Sequence, residues 1–254
     1  CSPTSRRSIP RTSGAVRRMK LLIIRPQPGN DASAKRAREA GFEAVQFPFF
    51  EVQPRLWSAP DPSGYDALLI TSANAIRHAG AQLDVLRHLP VHAVGVRSGE
   101  KARQAGLGVQ SEGTGDAAQA LQVADDAGHH RLLWLAGEDH QQLVPSVGMT
   151  VDQRVVYASI PLKPDNAMAE AVRSGDVIAL HSARAARRLA ALVDQWQIPR
   201  TSIVIACFSK AIAEAAGSGW RAVVIADRPV DSALLSAVQC VATIGGQTNI
   251  RDAH

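Results

Sequence analysis

Four serines stand where apolar runs of this 254-residue chain give way to helix-forming stretches: Ser72, Ser98, Ser182 and Ser209. A hydroxyl at such a junction caps the helix, and the free backbone N–H groups with the helix dipole favour a bound anion. For one serine, ordinary capping is the simpler account. Four at equivalent junctions, on the carboxyl edges of strands where open α/β folds bind ligands, point to two anion-binding rims across one cleft. Arg184, Arg187 and Arg188 follow at i, i+3, i+4 helical spacing, which reads equally as a solvated face or as a grip on carboxylates. Tyr157 is one of two tyrosines; such a residue is more often structural, but one in a cleft can exchange a proton.

Other chemistries find little support. Ser111-Glu-Gly-Thr-Gly-Asp116 is glycine-rich but lacks the dinucleotide G-x-G-x-x-G and the Walker Lys-Ser/Thr pair. His129-His130 and Asp139-His140 have no partner at metal-ligand spacing and read as surface polarity. No G-x-S-x-G nucleophile elbow is present, and Cys207 lies in an apolar strand that suggests packing.

The elements that must position these residues are short. Leu21–Ile24, Ala44–Phe47, Ala67–Thr71, Val91–Val94, Leu132–Leu135, Val155–Ile160, Val177–Leu180, Ile203–Ala206 and Ala222–Ile225 read as strands. Most are continuously apolar, the pattern of strands covered on both faces in parallel sheets. Helical composition fills Asp31–Ala40, Ala73–Ala81, Glu100–Ala105, Ala183–Trp196 and Lys210–Ala216, with Gly41, Gly106 and Gly217 as C-terminal caps. The fold class is α/β, doubly wound.

The sequence also repeats itself. Asp66-Ala-Leu-Leu-Ile-Thr-Ser72-Ala-Asn-Ala75 recurs as Asp176-Val-Ile-Ala-Leu-His-Ser182-Ala-Arg-Ala185, Ser98 through Gly106 as Ser209 through Gly217, and Asp116–Leu121 loosely as Asp231–Leu235. Three blocks in one order argue for two copies of an α/β unit. Leu21–Phe47 is left over; if it completes the second copy, the chain starts in one domain, crosses into the other and returns. The crossings fall near Phe47-Pro48 and Val155-Val156-Tyr157. The expected domains are 19–49 plus 156–245 and 50–155, with a disordered basic extension at 1–18 and a flexible tail at 246–254.

Charge fits that division. The formal charge is +5 and the pI about 9.5, but residues 1–18 carry five arginines and no acid. Without them 23 basic and 23 acidic residues remain, and the nucleic-acid reading falls. That segment reads as an extension ahead of a start at Met19. The discontinuous domain has 14 basic against 10 acidic residues and the other 8 against 12, so a polyanion should favour the first. Three distant cysteines imply a reducing compartment, and no apolar run approaches the ~18 residues of a membrane span.

With these motifs in order, the sequence resembles the uroporphyrinogen-III synthase family from Met19 to about Val241. The resemblance rests on Leu21–Pro26, Phe47–Pro54, Asp66–Ala75, Val94-Gly95-Val96-Arg97-Ser98 and Val155-Val156-Tyr157. It implies two similar doubly wound parallel-sheet domains joined by a pair of crossing strands, with the active site in the cleft between them. It also implies a cofactor-free, metal-free lyase that closes the linear tetrapyrrole hydroxymethylbilane with inversion of ring D and loss of water. Tyr157 matches the family tyrosine that assists loss of the hydroxyl group. The expected substrate-binding set is Arg25, Ser72, Ala73, Asn74, Ser98, Gly137, Ser182, Ala183, Arg184 and Ser209. A cytoplasmic monomer is expected, without nucleic-acid or membrane partners, and with a transient contact to hydroxymethylbilane synthase left open. Ala206, Phe208 and Val230 depart from the family pattern. The rival readings are a hinge-closing small-ligand binding protein and a family member that has lost activity and serves a regulatory role.

Overall fold

A computed structural model describes residues 18–140 and 142–248, excluding the side chains of 241–248. Nearly all of the expected basic extension and the last six residues of the expected tail lie outside the described residues. Contacts divide the chain into two compact units. Unit 1 takes the described parts of Cys1–Phe47 and Pro164–His254, and unit 2 is Pro48–Lys163.

The chain opens in unit 1 with β1 (Lys20–Ile23), α1 (Gly29–Glu39) and β2 (Glu43–Gln46). Unit 2 follows with β3 (Phe50–Pro54), β4 (Ala67–Ile70), α2 (Ala73–His78), β5 (Val91–Ala93), α3 (Val96–Gln104), β6 (Val109–Glu112), α4 (Ala117–Asp126), β7 (Arg131–Gly137) and β8 (Thr150–Pro161). Back in unit 1 come α5 (Asn166–Ser174), β9 (Val177–Leu180), α6 (Ala183–Gln195), β10 (Val204–Cys207), α7 (Lys210–Ala216), β11 (Ala222–Ile225) and α8 (Asp231–Thr248).

The unit 1 sheet has the order β11-β10-β9-β1-β2 and is parallel throughout. The unit 2 sheet runs β3-β8-β7-β4-β5-β6, parallel except for the antiparallel edge pair β3–β8. Setting β3 aside, the two orders correspond strand for strand: β2-β1-β9-β10-β11 against β8-β7-β4-β5-β6. The repeated sequence blocks fall on β4 and β9 and on the helices that follow them. The leftover piece β1-α1-β2 therefore occupies in unit 1 the place that β7 and β8 hold in unit 2. One difference matters for function. Helix α1 joins β1 to β2, whereas between β7 and β8 the described residues, 138–140 and 142–149, form neither helix nor strand.

The continuous apolar strands are explained by burial on both faces. In β4, Leu68 and Ile70 pack with Ile76, Leu86 and Ala102 on one side, while Ala67 and Leu69 pack with Ala120, Leu121 and Trp134 on the other. All four are fully buried, and burying a Leu or Ile contributes about 1.5–3 kcal/mol. In unit 1, Leu21 and Ile23 share a core with Ala34, Ala37, Val177, Leu234 and Val238. Gly41 and Gly106, directly after α1 and α3, adopt φ of +89° and +80°, the left-handed conformation that ends a helix at little cost.

The elements differ from expectation in four places. Helix α2 stops at His78, and Gly80 (φ +65°) opens a 3-10 stretch over Gly80–Leu86. Strand β8 is twelve residues long, so Tyr157 stands in mid-strand, and contacts divide the units at Lys163/Pro164. Helix α8 continues to Thr248, three residues into the segment expected to be a flexible tail. Strand β6 and helix α5 were not among the candidate elements; β6 is polar (Val-Gln-Ser-Glu) and gives no apolar signal.

Candidate functional site

In a doubly wound sheet the strand order reverses at one point, and the crevice beyond the carboxyl ends of the strands there is the natural ligand site. In unit 2 that point lies between β4 and β7. A cavity of about 600 Å³ opens there, lined by Thr71 and Ser72 after β4, Gly115–Ala118 at the start of α4, and Trp134 and Gly137 of β7. Val94, Leu121, Asp139, His140, Gln142, Leu143, Val144 and Tyr157 complete the lining. At the corresponding place in unit 1, Ser33 and Arg36 of α1 both reach the Asp231 carboxylate.

The geometry turns on Gly137. A Cβ at this position would lie 2.5 Å from Cζ and 2.7 Å from the hydroxyl oxygen of Tyr157, so the phenol rests directly on the glycine Cα. A β-bulge sets the approach: the β7–β8 register shifts between Ala136 and Gly137, which places Gly137 opposite Tyr157. Beyond the bulge, the Glu138 N–H donates to the Tyr157 carbonyl at 2.8 Å, and the Glu138 carboxylate pairs with Arg55 at 2.7 Å. The Tyr157 ring lies 6.2 Å from His78. Among the described residues its hydroxyl has no hydrogen-bond partner, so it is available to a ligand.

His140 closes the same turn. Its Nδ1 donates to the Gly137 carbonyl at 2.9 Å, with the Gln153 side-chain amide 3.3 Å from the same nitrogen. Its ring meets the Trp134 indole edge-on at 4.9 Å, and Trp134 Nε1 donates to Thr71 Oγ1 at 3.1 Å. Ser72 caps α2 by accepting from the Asn74 N–H at 3.2 Å, and Asp116 caps α4 by accepting from the Ala118 N–H at 2.9 Å. The Gly-rich Ser111–Asp116 stretch thus ends β6 and opens α4, with Gly113 so near the Val94 carbonyl that a Cβ would stand 2.8 Å away.

Of the residues singled out by sequence, Ser72, Gly137 and Tyr157 line this cavity. Ala73 and Asn74 form the first turn of α2 without lining it, and Asn74 Oδ1 accepts from Arg77. Ser98 is buried inside the first turn of α3, whose N-cap is Gly95, so it is not the junction residue that its match to Ser209 suggested. Helices α2 and α7 have only six and seven residues, which leaves little dipole behind the anion rims expected at Ser72 and Ser209.

The remaining site candidates belong to unit 1. Ser182 caps α6 by accepting from the Ala185 N–H at 3.2 Å, with Ala183 and Arg184 opening that helix. Ser209 is the N-cap of α7 but makes no side-chain cap bond. Arg25 donates to Ser33 Oγ at 3.1 Å, and Ser33 Oγ donates to Asp231. Arg36 and His181 Nε2 also reach that carboxylate, at 2.9 and 3.1 Å. Burial opposes the charge on Asp231, yet hydrogen bonds from His181 and Ser33 and the nearby Arg25 hold its pKa at about 2. Burial pushes His181 the other way, below the usual imidazole range. Phe208 packs edge-on against His181 at 4.4 Å. Burial lowers Arg188, with the like charge of Arg184 adding to the effect, while Arg187 is exposed.

Two histidine readings change. His129 is not idle at the surface, because its Nδ1 lies 2.8 Å from Nε2 of the fully buried His92, whose Nδ1 meets Ser111 Oγ at 2.7 Å. His140, read from the sequence as a polar surface residue, and Trp134, not singled out there, are part of the cavity; the only hint was their place just after and within an apolar strand. Among the described residues no cluster of three His, Cys, Asp or Glu could hold a metal ion. The Cys207 thiol, pushed up to about 12 by burial, is not a nucleophile.

Comparison with known proteins gives the following. A family model described as uroporphyrinogen-III synthase HemD matches residues 31–236. Among curated proteins none matches. Among solved structures, uroporphyrinogen-III synthetase from Helicobacter pylori is 14% identical, over 89% of this chain and 100% of that one, with a TM-score of 0.59. A mutant uroporphyrinogen III synthase from Thermus thermophilus is 17% identical, over 90% of this chain and 99% of that one, with a TM-score of 0.50. At these identities the two structures speak to fold alone.

Proposed function

The chain belongs to the uroporphyrinogen-III synthase family, and from that premise we propose that the unit 2 cavity is where it acts on its tetrapyrrole. The family is one of enzymes of heme biosynthesis. The finer reading is a carbon–oxygen lyase that closes hydroxymethylbilane to uroporphyrinogen III with inversion of ring D and loss of water. The observation that carries it is Tyr157, seated on Gly137 and lining a cavity at the switch point of the sheet.

The chemistry asks for few groups. Hydroxymethylbilane loses hydroxide readily to give a conjugated azafulvene cation, so a phenol that protonates the leaving oxygen is enough acid. What remains is positioning: the substituted carbon of ring D must attack, giving a spiro intermediate that reopens and recloses inverted. Side chains held within a few tenths of an ångström supply that. The Gly137 contact fixes Tyr157 in this way. Ser72 Oγ, the Thr71 hydroxyl and the amides at the start of α4 are donors for substrate carboxylates. Arg25, Ser182, Ala183, Arg184 and Ser209 are proposed as carboxylate contacts supplied by unit 1, with Arg25 braced by Ser33 and Asp231.

No helix among the described residues is long and apolar enough to cross a membrane. The reading includes action in the cytoplasm as a monomer, with hydroxymethylbilane handed over by the synthase that makes it. The test is to supply hydroxymethylbilane and resolve the macrocycle isomers. Spontaneous closure gives type I, so enrichment of type III over an enzyme-free control supports the reading. A product no richer in type III than the control refutes it and favours the binding-protein or inactive-member alternatives.

A further inference from the structure

We infer that His140 is the proton acceptor of the ring-closing step, the counterpart of Tyr157 as donor; this rests on the reading of the cavity as the synthase site. Both rings are anchored to one residue. Tyr157 uses the missing side chain of Gly137 and His140 uses its carbonyl, at 2.9 Å from Nδ1. A carbonyl oxygen only accepts, so Nδ1 carries a proton, the Gln153 amide beside it presents its oxygen to the same N–H, and in the neutral imidazole Nε2 holds the lone pair. Both side chains line the same cavity. Among the described residues nothing donates to Nε2, while Trp134 holds the ring plane by its edge-on contact. The arrangement suits a general base: one nitrogen is fixed by a backbone acceptor, and the other receives no donor among the described residues.

The reaction needs such a group. The C–O bond of the hydroxymethyl arm breaks with its electron pair on oxygen, which takes a proton from Tyr157 and leaves as water. Ring D then adds to the resulting cation through its substituted carbon, the spiro intermediate reopens, and the free α-carbon of ring D forms the final bond. That carbon still holds its hydrogen. Aromaticity returns when the C–H electron pair falls back into the ring and the proton moves to His140 Nε2. Proton return from the imidazolium to the Tyr157 oxygen restores both residues, and the net change is one water lost.

The test uses the full chain in steady-state assays of type III formation. His140→Asn keeps a donor for the Gly137 carbonyl but removes the acceptor. It is expected to lower kcat by about 10²-fold with little change in KM, the scale of a lost general base. His140→Ala is expected to lose as much and to regain activity with added imidazole. Substrate deuterated at the free α-carbon of ring D should show a primary isotope effect in His140→Asn. A purely anchoring role for His140 predicts the opposite: near-wild-type His140→Asn, no imidazole rescue and no isotope effect. Those results would overturn the assignment. Wild-type enrichment of type III would still stand in that case, so failure here is separable from failure of the synthase reading.

Discussion

Replacing Gly137 by alanine tests the seat of Tyr157 directly. The new methyl carbon would lie 2.5 Å from Cζ of the phenol, against a comfortable carbon–carbon separation of about 3.5–4.0 Å. The backbone of β7 is fixed between β4 and β8, so the ring must withdraw by about 1 Å. The obstacle is the end of a half-buried side chain, so the stability cost belongs at the lower end of the ~1–3 kcal/mol of overpacking. Catalysis should suffer more, because a misplacement of about 1 Å can cost on the order of 10²-fold. The assay is kcat for type III formation, with thermal unfolding to confirm the fold. A second background completes the test: once Tyr157 is alanine, Gly137→Ala should cause little further loss. Wild-type kcat in Gly137→Ala, or an equal loss in the Tyr157→Ala background, would refute the argument that Gly137 acts through the phenol.

Other expectations follow from the same geometry. Tyr157→Phe should fold normally and turn over more slowly under saturating substrate; an unchanged rate removes the hydroxyl from the mechanism. Ser72→Ala removes the cap of α2 and should lower stability by about 1 kcal/mol in denaturant unfolding. Burial, with His129 adding its charge, depresses His92 to about 4, so between pH 6.5 and 4 the unfolded chain binds a proton that the folded one refuses. Stability should fall by about 3 kcal/mol as pH drops through that window; a flat profile in urea unfolding at successive pH values contradicts it. Asp231→Ala strands His181, Ser33 and Arg36 and should lower unit 1 stability by about 3 kcal/mol, read as a drop in Tm.

Much of the fold was legible because β4, β9 and β1 are apolar throughout and the block around Ser72 repeats around Ser182. The repeat implied two like sheets, as the strand orders show, and β1-α1-β2 groups by contacts with the C-terminal part of the chain in unit 1. Elements held by polar edges were not legible: β6 carries Gln110, Ser111 and Glu112, and its place is set by pairing with β5 rather than by burial. Tyr157, marked by its rarity, and Ser72, marked by a repeated junction, both line the unit 2 cavity. Gly137 entered by family resemblance, and its physical reason, the phenol on its Cα, emerges only from the β-bulge. His140 was invisible because its partner is a backbone carbonyl three residues earlier, which leaves no side-chain pattern. The charge argument favoured the discontinuous domain for a polyanion, yet the 600 Å³ cavity lies in unit 2.

The central claim is that the unit 2 cavity holds the reacting tetrapyrrole. The most direct measurement is NMR of the labelled protein titrated with uroporphyrinogen III, following the Trp134 indole N–H, the amides of Ser72–Asn74 and Gly115–Ala118, and the ring of Tyr157. The account predicts saturable shifts at all of these, together with competitive inhibition of turnover at the same concentrations. Inhibition that saturates while these resonances stay in place would contradict it.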